Sequence, residues 1–186
     1  MTKLIIEHLE PKLWKWCLVE YSHISSVVGK EHVTFTNISR PADQKKLASF
    51  GKVYEKKFKE LHFENVCILD PGAKDTLVCS DKKISYLLLG GILGDFPPRK
   101  RTKKELTSVL GLPTRNLGHY QMSTNTAGIV AWKILQGTPL SAMKFNRKLT
   151  VNAGDGEVVE LPYRFLLENG KPLLAPGYEN MVKKGF

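Results

Sequence analysis

The sequence predicts an α/β fold built on a mainly parallel sheet that is flanked by helices. Two short, continuously apolar runs, Val66 to Leu69 and Tyr86 to Leu89, are typical of strands buried on both faces of a parallel sheet. Each run stops abruptly in turn residues, Asp70-Pro71-Gly72 after the first and Gly90-Gly91 after the second. Because strand, turn and helix patterns alternate along the chain, the parallel arrangement is favoured.

The first part of the chain predicts two further strands and two helices. Leu4 to His8 is the first strand, and Glu10-Pro11 is expected to open a helix, since proline is tolerated in the first helical turn. Val33 to Thr36 is the second strand, and the polar segment after it starts a helix that runs towards Phe58. The first helix is predicted to end at a glycine and to bury an apolar stripe, which consists of Trp14, Cys17, Leu18, Tyr21, Ile24 and Val28.

The second half predicts two more helices and a hairpin. Thr102 to Leu110 is a short helix, and a longer one carries the apolar stripe Ala127, Val130, Ala131 and Ile134. Asn169-Gly170 is the turn of a hairpin, and Tyr178 to Lys184 is a short amphipathic helix. We expect one domain over residues 1–186, with an irregular C-terminal extension over 151–186.

The composition favours a soluble, cytoplasmic protein that meets polyanions. The chain has 28 lysines and arginines against 18 acidic residues, a net charge of +10 that steers it towards polyanions such as ribosomal RNA. Its three cysteines are widely spaced and form neither a disulfide framework nor a zinc motif. No signal peptide or membrane-spanning segment is predicted. A generically basic protein remains the alternative interpretation of the charge.

The stretch from Tyr86 to Thr102, YLLLGGILGDFPPRKRT, is predicted to be the active-site loop. Glycines at 90, 91 and 94 let the backbone approach a ligand at the end of a strand. Asp95 stands before Phe96-Pro97-Pro98, and consecutive prolines hold a preceding acid in extended or turn geometry. The loop therefore predicts a carboxylate organised in advance for chemistry, although a simple turn is the alternative.

Other positions leave two interpretations open. The polar residues after Leu117-Gly118 either cap a helix or offer donors and acceptors to a ligand. Glu7, at the end of a central strand, must be paired, solvated or functional, and a salt bridge to Arg99 is the structural alternative. Arg99 and Arg101 either pair with Asp70, Asp95 or a cofactor carboxylate, or face a phosphate backbone.

Several common enzyme classes lack their motifs in this chain. There is no GxGxxG after the first strand, no GxxxxGK[ST], no HExxH and no GxSxG. The glycine-rich loop of Rossmann-type methyltransferases is absent as well.

Five segments together carry a resemblance to a known family: IIEH, CILDPGA, GGILGDFPPRKRT, LG..QMSTNTA and LPYRFLLENGKP. They resemble a small branch of the SPOUT superfamily of S-adenosylmethionine-dependent methyltransferases. Its eukaryotic members are similar to arginine methyltransferases that modify the third protein of the small ribosomal subunit. The resemblance implies a SPOUT-like α/β fold with a C-terminal trefoil knot, a feature that general pattern rules do not predict. SPOUT enzymes are usually dimers, whereas this branch implies a monomer.

The resemblance also implies that the cofactor lies bent among three loops. Carried onto this sequence, the cofactor-binding residues are Leu69, Asp70, Pro71, Leu89, Gly90, Gly91, Gly94, Leu117, Gly118, Gln121, Met122, Ser123, Thr124 and Thr126. These loops are the strand ends and the polar helix entry that the residue patterns select independently.

Arginine methylation needs carboxylates, because a protonated guanidinium is a poor nucleophile until a nitrogen lone pair is exposed. We expect Asp95 to clamp the substrate arginine and Glu7 to stabilise or deprotonate the attacking nitrogen. Asp70 is expected to contact the cofactor ribose as an alternative role. No metal is required by this chemistry.

Two other functions remain open at this point. One is an RNA methyltransferase acting on ribosomal or transfer RNA, which the net positive charge fits equally well, although two acids beside a phosphodiester are unfavourable. The other is a non-catalytic ribosome-associated binding module. In each case the expected partner is the ribosome, through a small-subunit protein or ribosomal RNA, and not a membrane.

Overall fold

The computed structural model describes residues 2–94, 99–154 and 157–183, and it contains the predicted parallel sheet. Six strands lie in the order β3-β2-β1-β5-β4-β6, and each pair of neighbours is parallel. The strands of this sheet are β1 (Lys3–His8), β2 (Val33–Thr36), β3 (Lys52–Val53), β4 (Val66–Leu69), β5 (Tyr86–Gly91) and β6 (Thr114–Arg115).

Helices connect these strands and cover the sheet. Short 3₁₀ turns occupy Lys30–His32, Phe58–Glu60 and Leu140–Ala142, and a π-helical turn at Lys103–Thr107 leads into the third helix. The helices are α1 (Lys15–Val28), α2 (Pro41–Leu47), α3 (Ser108–Leu110), α4 (Thr124–Leu135) and α5 (Tyr178–Lys183).

The central strands are apolar on both sides because both faces of the sheet are covered. Ile5, Ile68 and Leu88 point to one face, where they pack with Phe58 and Leu106. The alternate residues of the same strands point to the other face and join a larger core with α1 and α4. This larger core includes Leu4, Ile6, Tyr21, Leu87, Leu89 and Val130.

The first helix starts later than predicted. It begins at Lys15 and not at Glu10-Pro11, and Trp14 before it is 39% exposed. The reason is that the residues after β1 bond elsewhere: Leu9 N–H donates to the Gly91 carbonyl at 3.2 Å, and Glu10 accepts from Arg101 at 2.6 Å. The predicted end is confirmed, since Gly29 follows the last turn with φ of 89°.

The segment after β2 also differs from the prediction. The helix that starts at Pro41 ends at Leu47, and β3 and the Phe58–Glu60 turn follow it in place of one long helix. The short helix before Gly111 and the helix at Thr124–Leu135 are confirmed, and Gly111 ends the former in the left-handed region with φ of 63°.

The C-terminal part holds more regular structure than the predicted irregular extension. The strands there are β7 (Phe145–Asn146), β8 (Leu149–Gly154), β9 (Glu157–Leu161), β10 (Phe165–Glu168) and β11 (Lys171–Pro172). They form the antiparallel sheets β11-β10-β7 and β8-β9. The predicted turn at Asn169-Gly170 joins β10 and β11, and both residues have positive φ, 51° and 77°. Phe165, Tyr178 and Met181 join the same core as α1.

The trefoil knot that the resemblance implies stays a prediction. In the part of the chain that the structure describes, no helix combines the length and apolar character needed to cross a bilayer.

Candidate active site

A cavity of about 450 Å³ lies at the carboxyl ends of β5, β4 and β6. Three chain segments form most of its wall: the loop after β4, the loop after β5 with residues 99–103, and the loop between β6 and α4. Its volume falls in the range of about 300–1,000 Å³ that is common for small-molecule and cofactor sites. This is the edge of a parallel sheet at which ligands usually bind.

Most of the predicted cofactor-binding residues line this cavity together. They are Leu69, Asp70, Pro71, Leu89, Gly90, Gly94, Leu117, Gly118, Gln121, Met122 and Thr124. Four of them are apolar side chains of leucine and methionine, and the glycines leave backbone groups accessible. An apolar wall with a few convergent polar groups suits a nucleoside-like cofactor.

The remaining three predicted cofactor residues do not line it. Gly91 faces the core, where an added Cβ would lie 2.0 Å from the Tyr21 hydroxyl. The Ser123 hydroxyl donates to Asn125 Oδ1 at 2.6 Å, and Thr126 is 2% exposed inside α4. Tyr21 fills the space beside Gly91, and the side chains of Ser123 and Thr126 bond each other at the entry of α4.

Two glycines keep the loop after β5 close to its neighbours. A Cβ on Gly90 would lie 2.8 Å from Ile92 Cδ1, and one on Gly94 would lie 2.6 Å from Gln121 Nε2 and 2.8 Å from Tyr163 Cε1. Any side chain at these places would have to displace the wall. The predicted need for glycine in this loop therefore has a steric cause at both positions.

Asp70 is an anchor for the loops of the cavity. Its carboxylate accepts from Gly72 N–H at 2.8 Å and from the Thr107 hydroxyl at 2.6 Å, and its residue is 4% exposed. These bonds tie the loop after β4 to the helical turn that follows residues 99–103. Asp70 also lines the cavity. Its contact with a cofactor ribose stays a prediction.

Arg101 takes a third role that neither predicted interpretation contained. It donates to Glu10 at 2.6 Å, to Glu105 at 2.7 Å and to the Leu9 carbonyl at 2.9 Å. The guanidinium thus holds the chain after β1 against the helical turn beside the cavity. Arg99 lies in the cavity lining and is exposed.

Sequence reasoning missed Asn116, which shapes the third loop. Its Oδ1 accepts from the Thr76 hydroxyl and from Gly118 N–H, both at 2.9 Å, and its Nδ2 donates to the Ala73 carbonyl at 2.9 Å. Gly118 has φ of 91°, which glycine tolerates best. The available signal was an amide directly before Leu117-Gly118.

The structure describes one of the two predicted catalytic acids. Asp95 lies outside the described residues. Glu7 is 4% exposed, accepts from the Thr36 hydroxyl and from Phe58 N–H at 3.0 Å, and is absent from the cavity lining. Burial raises the pKa of Glu7 above its usual value, and these hydrogen bonds oppose the rise. Its catalytic role stays a prediction to which the geometry gives no support.

A further buried acid, Glu20, was missed by sequence reasoning. It lies in α1, is 5% exposed, and lines a second cavity of about 110 Å³ beside the first. Burial raises the pKa of Glu20 to about 8, while the backbone and hydroxyl of Thr124 and the backbone of Asn125 oppose the rise. The available signal was a carboxylate one residue before Tyr21, within the apolar stripe of the helix.

Comparison with known proteins identifies the family. The family model for SFM1-like protein arginine N-methyltransferases matches residues 3–186. The chain belongs to this family. Protein arginine N-methyltransferase SFM1 of Saccharomyces cerevisiae is 34% identical over 201 residues, which cover 98% of this chain and 94% of the yeast protein. Membership confirms the predicted class of arginine methyltransferase.

Solved structures of yeast SFM1 share the fold of this SFM1-like chain. The complex with SAH aligns with a TM-score of 0.87 at 33% identity and covers 97% of this chain and 94% of the yeast chain. The complex with SAM aligns with a TM-score of 0.86 at 34% identity and covers 98% of this chain and 90% of the yeast chain. Trm10 from Thermococcus kodakaraensis is 17% identical with a TM-score of 0.58 over 75% of this chain and 95% of its own. That similarity concerns the fold alone and agrees with the predicted SPOUT-like sheet.

Proposed function

We propose that this SFM1-like enzyme transfers a methyl group from S-adenosylmethionine to an arginine of a small-subunit ribosomal protein. The class of reaction and the cofactor follow from family membership and from relatives whose structures hold SAM or SAH. The observation that carries the proposal within this chain is the cavity at the ends of β5, β4 and β6, which gathers eleven predicted cofactor residues.

The residues of the large cavity fit this cofactor. Leu69, Leu89, Leu117 and Met122 offer apolar walls for a purine, and the loop glycines expose backbone groups for hydrogen bonds. When bound, S-adenosylmethionine supplies an electrophilic methyl group carried on a sulfonium. The role of the chain is to bind the donor, exclude water and orient an arginine nitrogen towards that methyl group.

The substrate step requires an acid beside the guanidinium. A nitrogen–methyl bond forms, the sulfur–methyl bond breaks with its electron pair left on sulfur, and the nitrogen loses one proton to a carboxylate beside the guanidinium, which passes it to water. We propose Asp95, which follows Gly94 in the sequence, as the clamp on the guanidinium. Unchanged turnover of Asp95→Asn at unchanged cofactor affinity would remove Asp95 from the mechanism.

Charge supports a substrate that sits on or near the ribosome. The net charge of +10 favours encounter with polyanions, and exposed Arg99, Lys100 and Lys103 lie in the lining of the cavity. A ribosomal protein presents its arginines in that polyanionic setting. The sequence resemblance to the branch that modifies such a protein supports the same substrate.

The proposal is tested by label transfer into an extract from cells that lack the enzyme. With methyl-labelled S-adenosylmethionine, we expect label in one small basic protein that survives ribonuclease and yields methylarginine on acid hydrolysis. Gly94→Val should abolish the label because the new side chain collides with Gln121 and Tyr163. Gly137→Ala is the control: its φ of 104° strains the backbone, but nothing lies within 4 Å of the added Cβ and the residue lines neither cavity.

RNA methylation is the second candidate, and the exposed basic residues in the cavity lining favour it. Label destroyed by ribonuclease would establish this candidate and overturn the arginine proposal. A failure of the wild-type chain to bind SAH in calorimetry would instead support a binding module without catalysis.

We also propose that the enzyme acts as a cytoplasmic monomer. The resemblance to a monomeric branch of SPOUT enzymes supports the monomeric state, and the free thiols of Cys17, Cys67 and Cys79 support the cytoplasmic location. Sedimentation equilibrium of the full chain tests the first point, because a dimer would give twice the mass.

A further inference from the structure

A second, smaller cavity shares a wall with the large one. It measures about 110 Å³ and is bordered by α1, the loop after β5, the start of α4 and the C-terminal segment. Ile92, Leu93, Gly94 and Thr124 line both cavities. Since a cavity needs only about 10–15 Å³ of this volume to hold one water molecule, the space admits a group of at least four heavy atoms. A guanidinium has this size, with one carbon and three nitrogens.

Glu20 is a buried carboxyl group with one oxygen left without a partner. Its Oε2 is buried and has no hydrogen-bond partner among the described residues, and the residue lines the second cavity. Native proteins satisfy almost all buried polar groups, so such an oxygen requires an explanation. A donor that enters the cavity from outside would provide one.

The carboxyl group of Glu20 faces the first turn of α4. Ser123, the N-cap residue of α4, makes no side-chain bond to the helix backbone because its hydroxyl bonds the side chains of Asn125 and Thr126. Glu20 approaches the backbone of Thr124 and Asn125 in its place. Capping explains why the carboxyl group lies beside α4, and it gives Oε2 no partner.

The walls of the second cavity suit a planar cation. Trp16, Tyr163 and Tyr178 are aromatic, and no lysine, arginine or histidine occurs among its described lining residues. Aromatic faces attract a guanidinium, and a carboxylate binds its N–H groups with charge-assisted hydrogen bonds. An acid without a basic neighbour among the described lining residues and a set of aromatic walls both favour a guanidinium as the ligand.

We propose that Glu20 receives the guanidinium of the substrate arginine in the second cavity, with a nitrogen directed past Gly94 into the large cavity. This inference rests on the proposed arginine methylation and makes Glu20 a catalytic residue in contact with the substrate. Tyr163 supports the passage, because its hydroxyl donates to the Gly94 carbonyl at 2.6 Å. Gly94 keeps the shared wall free of a side chain.

Ligand binding by the wild-type full chain tests the proposal without any ribosomal substrate. Ethylguanidinium chloride is titrated into the enzyme saturated with SAH, and a crystal structure of the complex locates it. We expect the guanidinium against Glu20, with binding lost in Glu20→Gln. Density elsewhere, no density at high concentration, or unchanged binding by Glu20→Gln would overturn the proposal.

Proton release gives a second readout that a mere helix cap would not show. A cation beside Glu20 favours its charged form, so ethylguanidinium should displace a proton, seen by calorimetry in two buffers of different ionisation enthalpy. Among the described residues, the other titratable groups that face Glu20 are the thiol of Cys17 and the phenols of Tyr21, Tyr163 and Tyr178. Equal heats in the two buffers would contradict the proposal.

Methyl transfer by the variants separates this proposal from the proposed substrate. Glu20→Gln should keep its SAH affinity and remain folded while its transfer rate falls by about 100-fold, as for a buried charge pair that loses one partner. Asp43→Asn is the matched control: its carboxylate is also buried, pairs with Lys46 at 3.3 Å, and lines neither cavity. If ribosomal proteins are not methylated by the wild type but ethylguanidinium binds Glu20, only the proposed substrate fails.

Discussion

Glu7 and Glu20 are glutamates of almost equal burial, 4% and 5% exposed, at two contrasting places in the molecule. Glu7 lies next to the last residue of β1, where neighbouring side chains and backbone close the end of the sheet. Thr36 and Phe58 donate to its carboxylate, and His8 Nδ1 lies 3.0 Å from the Tyr21 hydroxyl. Glu20 lies under the open side of the edge, with Oε2 unpartnered at a cavity. The comparison teaches that a buried carboxyl oxygen left without a donor, more than the burial of the residue, separates a candidate for chemistry from a supporting acid.

The closed region depends most on Gly91. An alanine there would place its Cβ 2.0 Å from the Tyr21 hydroxyl and 3.2 Å from Ile6 Cγ2. Because Tyr21 is fully buried, we expect Gly91→Ala to lower the free energy of unfolding by about 3 kcal/mol. Urea denaturation measures the loss. Gly111→Ala is the control, with open space around its Cβ and a cost of about 1 kcal/mol for its positive φ. Equal losses would show that the β1 end is not tightly closed.

Glu7 itself should matter for folding and not for binding. Glu7→Ala leaves Phe58 N–H and the Thr36 hydroxyl without their acceptor, so we expect the free energy of unfolding to fall by about 2 kcal/mol. The SAH affinity of the folded fraction should stay within about twofold. Denaturation and calorimetry on one preparation check both values, and retained stability with lost turnover would instead restore its predicted catalytic role.

The pH dependence of stability should reveal the unpaired acid. Burial raises the pKa of Glu20 from 4.5 to about 8, so the folded protein keeps a proton that the unfolded chain releases between these values. The contribution of this group to stability is therefore full below the lower pKa and is lost as pH rises through about 8. Melting curves across this interval should show the melting temperature of the wild type falling more steeply than that of Glu20→Gln. Parallel curves would contradict the assignment.

The smallest effect concerns the link between the two regions. Arg101 joins the Leu9 carbonyl and Glu10, beyond β1, to Glu105 beside the large cavity. Arg101→Lys cannot reach all three acceptors with one ammonium group, so we expect SAH to bind about fivefold more weakly at nearly unchanged stability. Calorimetry with Arg147→Lys as the control checks this, because Arg147 lines neither cavity. An unchanged affinity would mean that the regions act independently.

Local patterns predicted the sheet well because a continuous apolar run of a few residues is enough to identify a buried strand. Val66–Leu69 is a strand as predicted, whereas Tyr86–Gly91 runs two residues beyond the predicted end at Leu89. The segments after both strands line the cavity, and Asn169-Gly170 forms the predicted hairpin turn. The predicted start of α1 at Glu10-Pro11 was wrong, because Glu10 is bonded to Arg101, 91 residues away in the sequence. The role of Glu20 was beyond local reasoning for the same reason: it depends on α4 and on Tyr163, which the sequence places more than 100 residues later.

Single-turnover methyl transfer by Glu7→Gln and Glu20→Gln, compared in one assay with saturating cofactor, tests the contrast between the two acids most directly. Our account predicts that Glu20→Gln remains folded and transfers about 100-fold more slowly, while Glu7→Gln is less stable but transfers at the wild-type rate per folded molecule. A normal rate for Glu20→Gln together with a lost rate for folded Glu7→Gln would contradict it.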